Sequence, residues 1–177
     1  MTNLNGKKVA ILTEDGFEEI ELASPKDALE AAGAVVEIVS PKKDKVRGKQ
    51  GDDWSKDYPV DRQLESAKAE DYDALVIPGG VINPDKLRVN PQAIGFVEAF
   101  FDQTKPVAAI CHGPQVLINA NQVKGKKLTS VEAIKLDLIH AGSLWEDSEV
   151  VYDNGLITSR TPKDLTAFNN KIIEVLS

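Results

Sequence analysis

Residues 109–113 read Ala-Ile-Cys-His-Gly and contain the only cysteine of the chain, next to one of its two histidines. Small residues two positions before and after a nucleophile allow the sharp strand-to-helix turn called a nucleophile elbow. Such a turn strains the backbone of Cys111 and lifts its thiol into a pocket. Because the N-terminus of the following helix favours a thiolate, the pattern predicts a reactive Cys111 with a lowered pKa.

An anion that forms on a reacting carbonyl needs hydrogen-bond donors close to the nucleophile. The N–H of His112 is one predicted donor, and the backbone of Gly79-Gly80 is predicted to supply a second, because glycine lets the backbone approach closely. The alternative is that Cys111 is a small buried hydrophobe, as free cysteines commonly are. The strand before Cys111, the glycine after it and the Gly-Gly pair favour the reactive cysteine.

An acidic loop, Glu14 to Glu21, follows the first apolar run of the chain. Glu18 and Glu21 are three residues apart and share one face of a helical turn. If this face meets Cys111, burial would keep a carboxyl protonated there, and the carboxyl would donate a hydrogen bond to the thiolate. Glu14 and Glu19 are interpreted as solvated acids of the turn, with Glu19 pointing away from the thiol.

The elements that position these residues follow from the apolar pattern. Four short apolar runs are typical of strands buried on both faces, and they cover residues 8–13, 35–39, 74–77 and 107–110. Asn154-Gly155 predicts a hairpin turn near the end of the chain, while polar residues 41–60 suit another hairpin or an irregular excursion.

Helical patterns lie between the predicted strands. The first helix ends near Gly33 and begins either near Phe17 or at Ser24, where Ser-Pro-Lys-Asp carries a capping signal. Three more helices are predicted: residues 91–103, a helix from Pro114, and a last one from Thr161-Pro162 to Leu176.

Strands that alternate with helices predict a single α/β domain, residues 1–177, with a mostly parallel sheet. Ligands of such sheets gather beyond the carboxyl ends of the strands. Three loops are therefore expected to converge on one site: residues 14–21, 78–85 and 111–115.

Composition excludes several classes of protein. The chain has 177 residues and a formal charge of −7, which argues against a nucleic-acid or anionic-membrane partner. The basic residues between 42 and 49 are followed by aspartates and are interpreted as a solvated hairpin or loop. No signal peptide or transmembrane run is recognised, and a lone cysteine suits a reducing compartment, so we expect a cytoplasmic protein.

Metal and cofactor sites are not indicated. One cysteine and two histidines provide no paired-cysteine or HExxH spacing for a metal. There is no GxGxxG after the first strand and no P-loop, so no cofactor is expected. His140, near a predicted helix end, is interpreted as a surface cation.

Six stretches resemble the PfpI family of intracellular proteases and stress proteins, in the superfamily of the Parkinsonism-associated deglycase. They follow the family's order across nearly the whole chain: residues 16–22, 71–80, 84–88, 109–118, 124–130 and 157–169. The resemblance implies a flavodoxin-like three-layer α/β sandwich with helices on both faces of the sheet, similar to the class I glutamine amidotransferase domain.

The resemblance also implies roles for individual residues. It makes Cys111 the nucleophile with His112 beside it, and it places the carboxyl that contacts the nucleophile on Glu21, with Glu18 as its neighbour. In the archetypal protease a third acid comes from an adjacent subunit. That acid falls on Asp85, one carbon shorter than the archetype's glutamate, and implies a homodimer or a higher homo-oligomer.

Two further positions depart from the family pattern. An active-site tyrosine found in some members falls on Val131, which removes a proton donor. Residues 51–63 do not have the usual strand-like sequence, so the pocket edge and the subunit contacts are expected to differ.

Protease, deglycase and glyoxalase activities of the family share thiolate attack on a carbonyl, followed by proton transfer. The resemblance therefore implies a stress-related, cysteine-dependent hydrolase that acts on a small carbonyl or peptide substrate. The alternative is a non-catalytic redox sensor or chaperone with an oxidisable Cys111. Amidotransferase activity is excluded because no His-x-Glu follows Cys111, and a receiver domain because Pro-Gly-Gly replaces the required aspartate.

Overall fold

The computed structural model describes residues 3–177 and contains seven strands in one central sheet. Two smaller sheets lie outside the central sheet. In chain order, the strands of all three sheets are β1 (Lys8–Leu12), β2 (Val35–Ser40), β3 (Lys45–Gln50), β4 (Asp53–Pro59), β5 (Arg62–Gln63), β6 (Ala74–Ile77), β7 (Val107–Ile110), β8 (Lys127–Leu128), β9 (Leu144–Trp145), β10 (Val150–Asp153) and β11 (Leu156–Ser159). The smaller sheets are β3-β4 and β8-β9. The helices are α1 (Glu19–Ala31), α2 (Ile82–Arg88), α3 (Pro91–Asp102), α4 (Pro114–Asn119), α5 (Lys135–His140) and α6 (Leu165–Leu176).

The central sheet has the order β10-β11-β7-β6-β1-β2-β5. All neighbours are parallel except β10 and β11, which form the hairpin predicted from the Asn154-Gly155 turn. Because β1, β6 and β7 are parallel neighbours, their carboxyl ends lie at the same edge of the sheet. The three loops that follow these strands therefore converge, as the sequence predicts.

Two apolar cores cover the two faces of the sheet. Along β6, Leu75 and Ile77 face the core shared with α2, α3, α4 and α5, while Ala74 and Val76 face the core shared with α1 and α6. This alternation makes a three-layer sandwich and explains why the strands read as continuous apolar runs. The predicted flavodoxin-like α/β fold is confirmed.

The capping signal at Ser24 does not begin the first helix, which starts at Glu19, close to the alternative start near Phe17. Ser24 and Pro25 lie inside α1, and the Ser24 hydroxyl instead accepts a hydrogen bond from Asn169 of α6 (2.8 Å). Ser24 is therefore used in a contact between two helices, although its sequence context resembles a helix N-cap.

The same motif near residue 161 opens a short 3-10 turn, Pro162–Asp164, before α6 begins. The Thr161 side chain makes no capping bond. Asp164 instead pairs with Arg160 at 2.8 Å, so this acid fixes the loop rather than the helix end.

Residues 45–59 form a two-stranded antiparallel sheet, β3 and β4, outside the central sheet. This confirms the hairpin interpretation of the polar stretch. Two of its basic residues pair with acids, Lys42 with Asp15 and Lys45 with Asp57. Within residues 3–177, every helix is too short or too polar to span a bilayer.

Candidate active site

Cys111 occupies the turn between β7 and α4 with a backbone φ of +62°. This left-handed conformation is uncommon for a residue with a Cβ and stores strain. Gly113 allows the turn, because a Cβ there would lie 2.8 Å from the carbonyl oxygen of Ile77 and 2.9 Å from that of Ile110. The strained elbow predicted from the small residues around Cys111 is confirmed.

Glu21 lies in the first turn of α1 and is fully buried. Its Oε2 accepts the backbone N–H of Gly79 at 2.8 Å, whereas its Oε1 is buried without a hydrogen-bond partner. Gly79 fits between Glu21 and Cys111, since a Cβ on this glycine would lie 2.5 Å from Oε2 and 2.7 Å from the Cys111 Cβ. The acidic loop therefore does bring Glu21 to the thiol.

Burial raises the pKa of Glu21 to about 8, and the N–H of Gly79 offsets only part of this effect. Glu21 is therefore largely protonated at neutral pH. In the protonated form the buried Oε1, which has no hydrogen-bond partner, carries no uncompensated charge. Leaving a buried polar atom unpaired is costly, so the protonated form also suits the packing.

Burial also raises the pKa of the Cys111 thiol, and an ionised Glu21 raises it further. The N–H groups of His112 and Gly80 act in the opposite direction. The predicted lowering of the Cys111 pKa is therefore wrong, because the prediction considered the helix N-terminus and not the loss of water around the thiol. Cys111 and Glu21 disfavour ionising together, so they titrate as a pair.

The backbone donors beside the sulfur are two of the three predicted ones. The N–H of Gly79 is used by Glu21, which leaves the N–H groups of Gly80 and His112 next to Cys111. Gly80 has a φ of +77°, and a Cβ there would lie 2.5 Å from the carbonyl oxygen of Gly16. Only glycine brings this backbone so close to the acidic loop.

The imidazole of His112 is half-buried, and its Nδ1 lies 3.4 Å from the sulfur of Cys111. Burial lowers the pKa of His112, so the ring is neutral near pH 7. Within residues 3–177 no carboxylate bonds to this ring. Asp85, the acid implied by the family resemblance, lies exposed in the first turn of α2 and outside the pocket.

The pocket above Cys111 has a volume of about 410 Å³. Glu18 lines it, and its carboxylate accepts the N–H of Gly51 at 3.3 Å. The tip of the β3–β4 hairpin forms one wall through Lys49, Gly51 and Asp52. The sequence spacing of Lys49, Gly51 and Asp52 does not predict that they line the pocket. The one indication was that residues 51–63 depart from the family pattern, which predicted a different pocket edge.

Glu19 is not the solvated acid expected from the sequence. It is only 8% exposed and accepts hydrogen bonds from Tyr58 Oη at 2.9 Å and Gln50 Nε2 at 3.1 Å, with Lys56 Nζ at 3.5 Å. The side chain does point away from Cys111, as expected, because it faces the hairpin. Glu14 is also partly buried rather than fully solvated.

Asn83 has a structural role that its sequence context does not signal. It is fully buried, and its amide nitrogen donates to the carbonyl oxygens of Pro78 (3.0 Å) and Gly79 (3.4 Å). Its Oδ1 accepts the backbone N–H of Glu14 at 2.7 Å. Asn83 therefore joins the glycine turn to the acidic loop beside the thiol.

Comparison with known proteins identifies the family of this chain. Residues 7–175 match the DJ-1/PfpI family, and the chain belongs to that family. General stress protein 18 of Bacillus subtilis (strain 168) is 41% identical over 173 residues, which cover 97% of this chain and 98% of that protein. Protein/nucleic acid deglycase 2 of Escherichia coli (strain K12) is 41% identical over 172 residues, or 96% and 98% of the two chains.

A solved structure gives the same result for the fold. The crystal structure of Drosophila melanogaster DJ-1beta superimposes with a TM-score of 0.87 at 29% identity, covering 96% of this chain and 90% of that chain. The resemblance recognised in the sequence is confirmed for both the family and the fold.

Gly79→Ala should slow alkylation of Cys111 by iodoacetamide at least tenfold. The added methyl group overlaps both Glu21 Oε2 and the Cys111 Cβ, so it must displace one of them. Gly95→Ala is the matched control, because a Cβ at this exposed position of α3 meets nothing within 4 Å. Equal alkylation rates in the two folded variants would show that Gly79 does not determine the geometry of the pair.

Glu21→Gln should stabilise the protein increasingly as the pH rises from 4.5 to about 8. The folded protein keeps the Glu21 proton up to about pH 8, whereas an unperturbed glutamate loses it near 4.5. The unfolded state therefore binds fewer protons in this window, and the parent loses stability as the pH rises, by a few kcal/mol in all. Urea unfolding at both ends of the window measures this difference, with Glu14→Gln as the control. The same pH dependence in parent and Glu21→Gln would contradict a raised Glu21 pKa.

Proposed function

We propose that this protein is a cysteine-dependent enzyme that acts on small carbonyl compounds, with Cys111 as its nucleophile. The observation that carries the proposal is the strained thiol at the base of a pocket, beside a carboxyl whose burial raises its pKa to about 8. Perturbed titrating groups in a pocket are typical of catalytic sites. The relative named as a protein/nucleic acid deglycase supports this class of chemistry.

The dimensions of the pocket favour a small substrate. A cavity of about 410 Å³ suits a dicarbonyl or a single carbonyl-modified side chain. A peptidase would need room for several residues on each side of the scissile bond. A cytoplasmic location, in which the lone thiol stays reduced, fits this chemistry.

In the proposed reaction Glu21 stays protonated, and the Cys111 thiol first gives its proton to the neutral imidazole of His112, whose Nδ1 lies 3.4 Å from the sulfur and which later returns the proton to the oxyanion. The sulfur attacks the aldehyde carbon of methylglyoxal, a C–S bond forms, and the carbonyl electron pair moves to the oxygen. The N–H groups of Gly80 and His112 lie beside the sulfur and would stabilise this oxyanion. Protonation of the oxygen then gives a hemithioacetal.

The second half of the proposed reaction needs a base rather than an external oxidant. The neutral imidazole of His112 can move a proton from the first carbon to the second, which oxidises one carbon and reduces the other. The product is a thioester between lactate and Cys111. Water hydrolyses the thioester, which releases lactate and restores the thiol.

A second candidate function rests on the same thiol. Peroxide would convert Cys111 to sulfenic or sulfinic acid and remove the nucleophile, so the protein would act as a redox sensor or chaperone without turnover. The partial exposure of Cys111 to the pocket makes this oxidation chemically feasible. The two functions differ in whether the thiol is regenerated.

We expect steady conversion of methylglyoxal to lactate at neutral pH, reduced at least a hundredfold in Cys111→Ser. The rate should fall above about pH 8, because an ionised Glu21 repels the thiolate and cannot donate a proton to it. An assay of lactate, paired with the intact mass after peroxide treatment, checks this, with Gly95→Ala as the control variant. Stoichiometric oxidation of Cys111 without any turnover in the parent would favour the sensor.

We further propose that the active form is a homo-oligomer in which Asp85 of one chain orients His112 of another. An imidazole without an orienting acid is a poor general base, and the described part of this chain supplies none. Asp85 is exposed on α2, where it is free to reach across a two-fold interface. A water molecule could bridge the shorter side chain to the ring.

Asp85→Ala and Cys111→Ser should each be inactive alone but regain partial activity when mixed. In a mixed oligomer, one site combines an intact Cys111 with an intact Asp85 from the neighbouring chain. Light scattering gives the mass, and the methylglyoxal assay gives the activity of the mixture. A fully active monomer, or an Asp85→Ala variant as active as the parent, would refute the shared site.

A further inference from the structure

The β3–β4 hairpin forms a wall of the pocket although it is not part of the central sheet. Backbone hydrogen bonds join β3 to the acidic loop: the N–H of Gly16 donates to Arg47 and the N–H of Lys49 to Phe17, both at 2.8 Å. The ring of Phe17 also packs edge-on against Tyr58, with ring centroids 5.7 Å apart. These contacts attach the hairpin as far as Lys49, and beyond it the turn is held by side chains: Glu18 accepts the N–H of Gly51, and Glu19 bonds to Gln50.

Glu19 binds the hairpin from both of its strands. Oε2 accepts from Gln50, the last residue of β3, and Oε1 accepts from Tyr58 in β4, with Lys56 3.5 Å away. The Ser55 hydroxyl beside it, together with Tyr58 and Lys56, holds the pKa of the Glu19 carboxyl below its usual range. Glu19 is thus a buried, charged carboxylate that is bonded almost entirely to this hairpin.

A carboxylate in this position differs from an ordinary surface ion pair. Lys45 and Asp57 on the same hairpin form an exposed pair, and such pairs contribute little to stability. Removing the partners of a buried charge is costly, because the charge is left without compensation. The hairpin tip is therefore held in one place as long as Glu19 remains bonded.

We propose that Glu19 is a positioning residue that fixes the hairpin tip and thereby sets the shape of the pocket wall opposite Cys111. Glu19 does not touch substrate. It acts through Gln50 and Tyr58 on the tip residues Lys49, Gly51 and Asp52, which line the pocket. The link to catalysis rests on the proposed function, whereas the effect on access to Cys111 does not.

The experiment compares Glu19→Ala and Tyr58→Phe with the control Asp57→Asn. Tyr58→Phe removes one hydroxyl group without changing any charge, and Asp57→Asn neutralises an exposed carboxylate of the same hairpin. Alkylation of Cys111 is measured with small iodoacetamide and with bulkier N-phenylmaleimide. The ratio of the two rates reports access, because a change in the intrinsic reactivity of the thiol affects both reagents.

We expect Glu19→Ala and Tyr58→Phe to raise the N-phenylmaleimide to iodoacetamide ratio at least threefold, and Asp57→Asn to leave it unchanged. Hydrogen exchange at the amides of Gln50 and Gly51 should accelerate in the same two variants, whether or not Cys111 reacts. In the methylglyoxal assay, KM should rise more than kcat falls. Unchanged amide exchange and an unchanged ratio in folded Glu19→Ala would overturn the proposal, whereas a changed ratio without turnover in the parent would contradict only the proposed function.

Discussion

The contact between the buried carboxyl of Glu21 and the thiol of Cys111 determines the rest of the site. Both groups lose water on folding, and two negative charges so close together are disfavoured. Both groups therefore hold their protons more tightly than usual, and they do not ionise together near neutral pH. Gly79 and Gly113 are required for this arrangement, since a side chain at either position would overlap the surrounding atoms. The strained backbone of Cys111 is the conformational cost of bringing the sulfur to the carboxyl.

The first turn of α1 organises the surroundings of that pair. Its acids point in different directions: Glu21 to the thiol, Glu18 into the pocket and Glu19 to the hairpin. Successive helical residues differ in direction by about 100°, so a short acidic stretch can bond to several elements at once. Asn83 then fastens the neighbouring glycine turn to the loop that precedes this helix.

Local patterns were sufficient to predict the four buried parallel strands, the hairpin at Asn154-Gly155 and the elbow at Cys111, because each depends on residues close in sequence. The contact of Glu21 with the thiol was instead implied by the family resemblance. Features that depend on distant residues could not be predicted. The burial of Glu19 requires Tyr58, which lies 39 residues away, and the raised pKa of Cys111 results from desolvation in the assembled core. The start of the first helix stayed open between Phe17 and Ser24 because the Ser24 hydroxyl serves a contact with Asn169, 145 residues distant, that the sequence does not reveal.

The central claim is that Glu21 is protonated beside the thiol at neutral pH. Infrared difference spectroscopy of the protonated carboxyl stretch tests it most directly, since it reports the protonation state of this carboxyl. A band from a buried, protonated carboxylic acid should be present at neutral pH, be absent in Glu21→Gln, and disappear in the parent as the pH rises through about 8. Thiolate absorbance recorded on the same samples would show where the negative charge lies. If no band attributable to Glu21 is seen at neutral pH, the carboxyl is already ionised, and the account of a protonated Glu21 beside the thiol is contradicted.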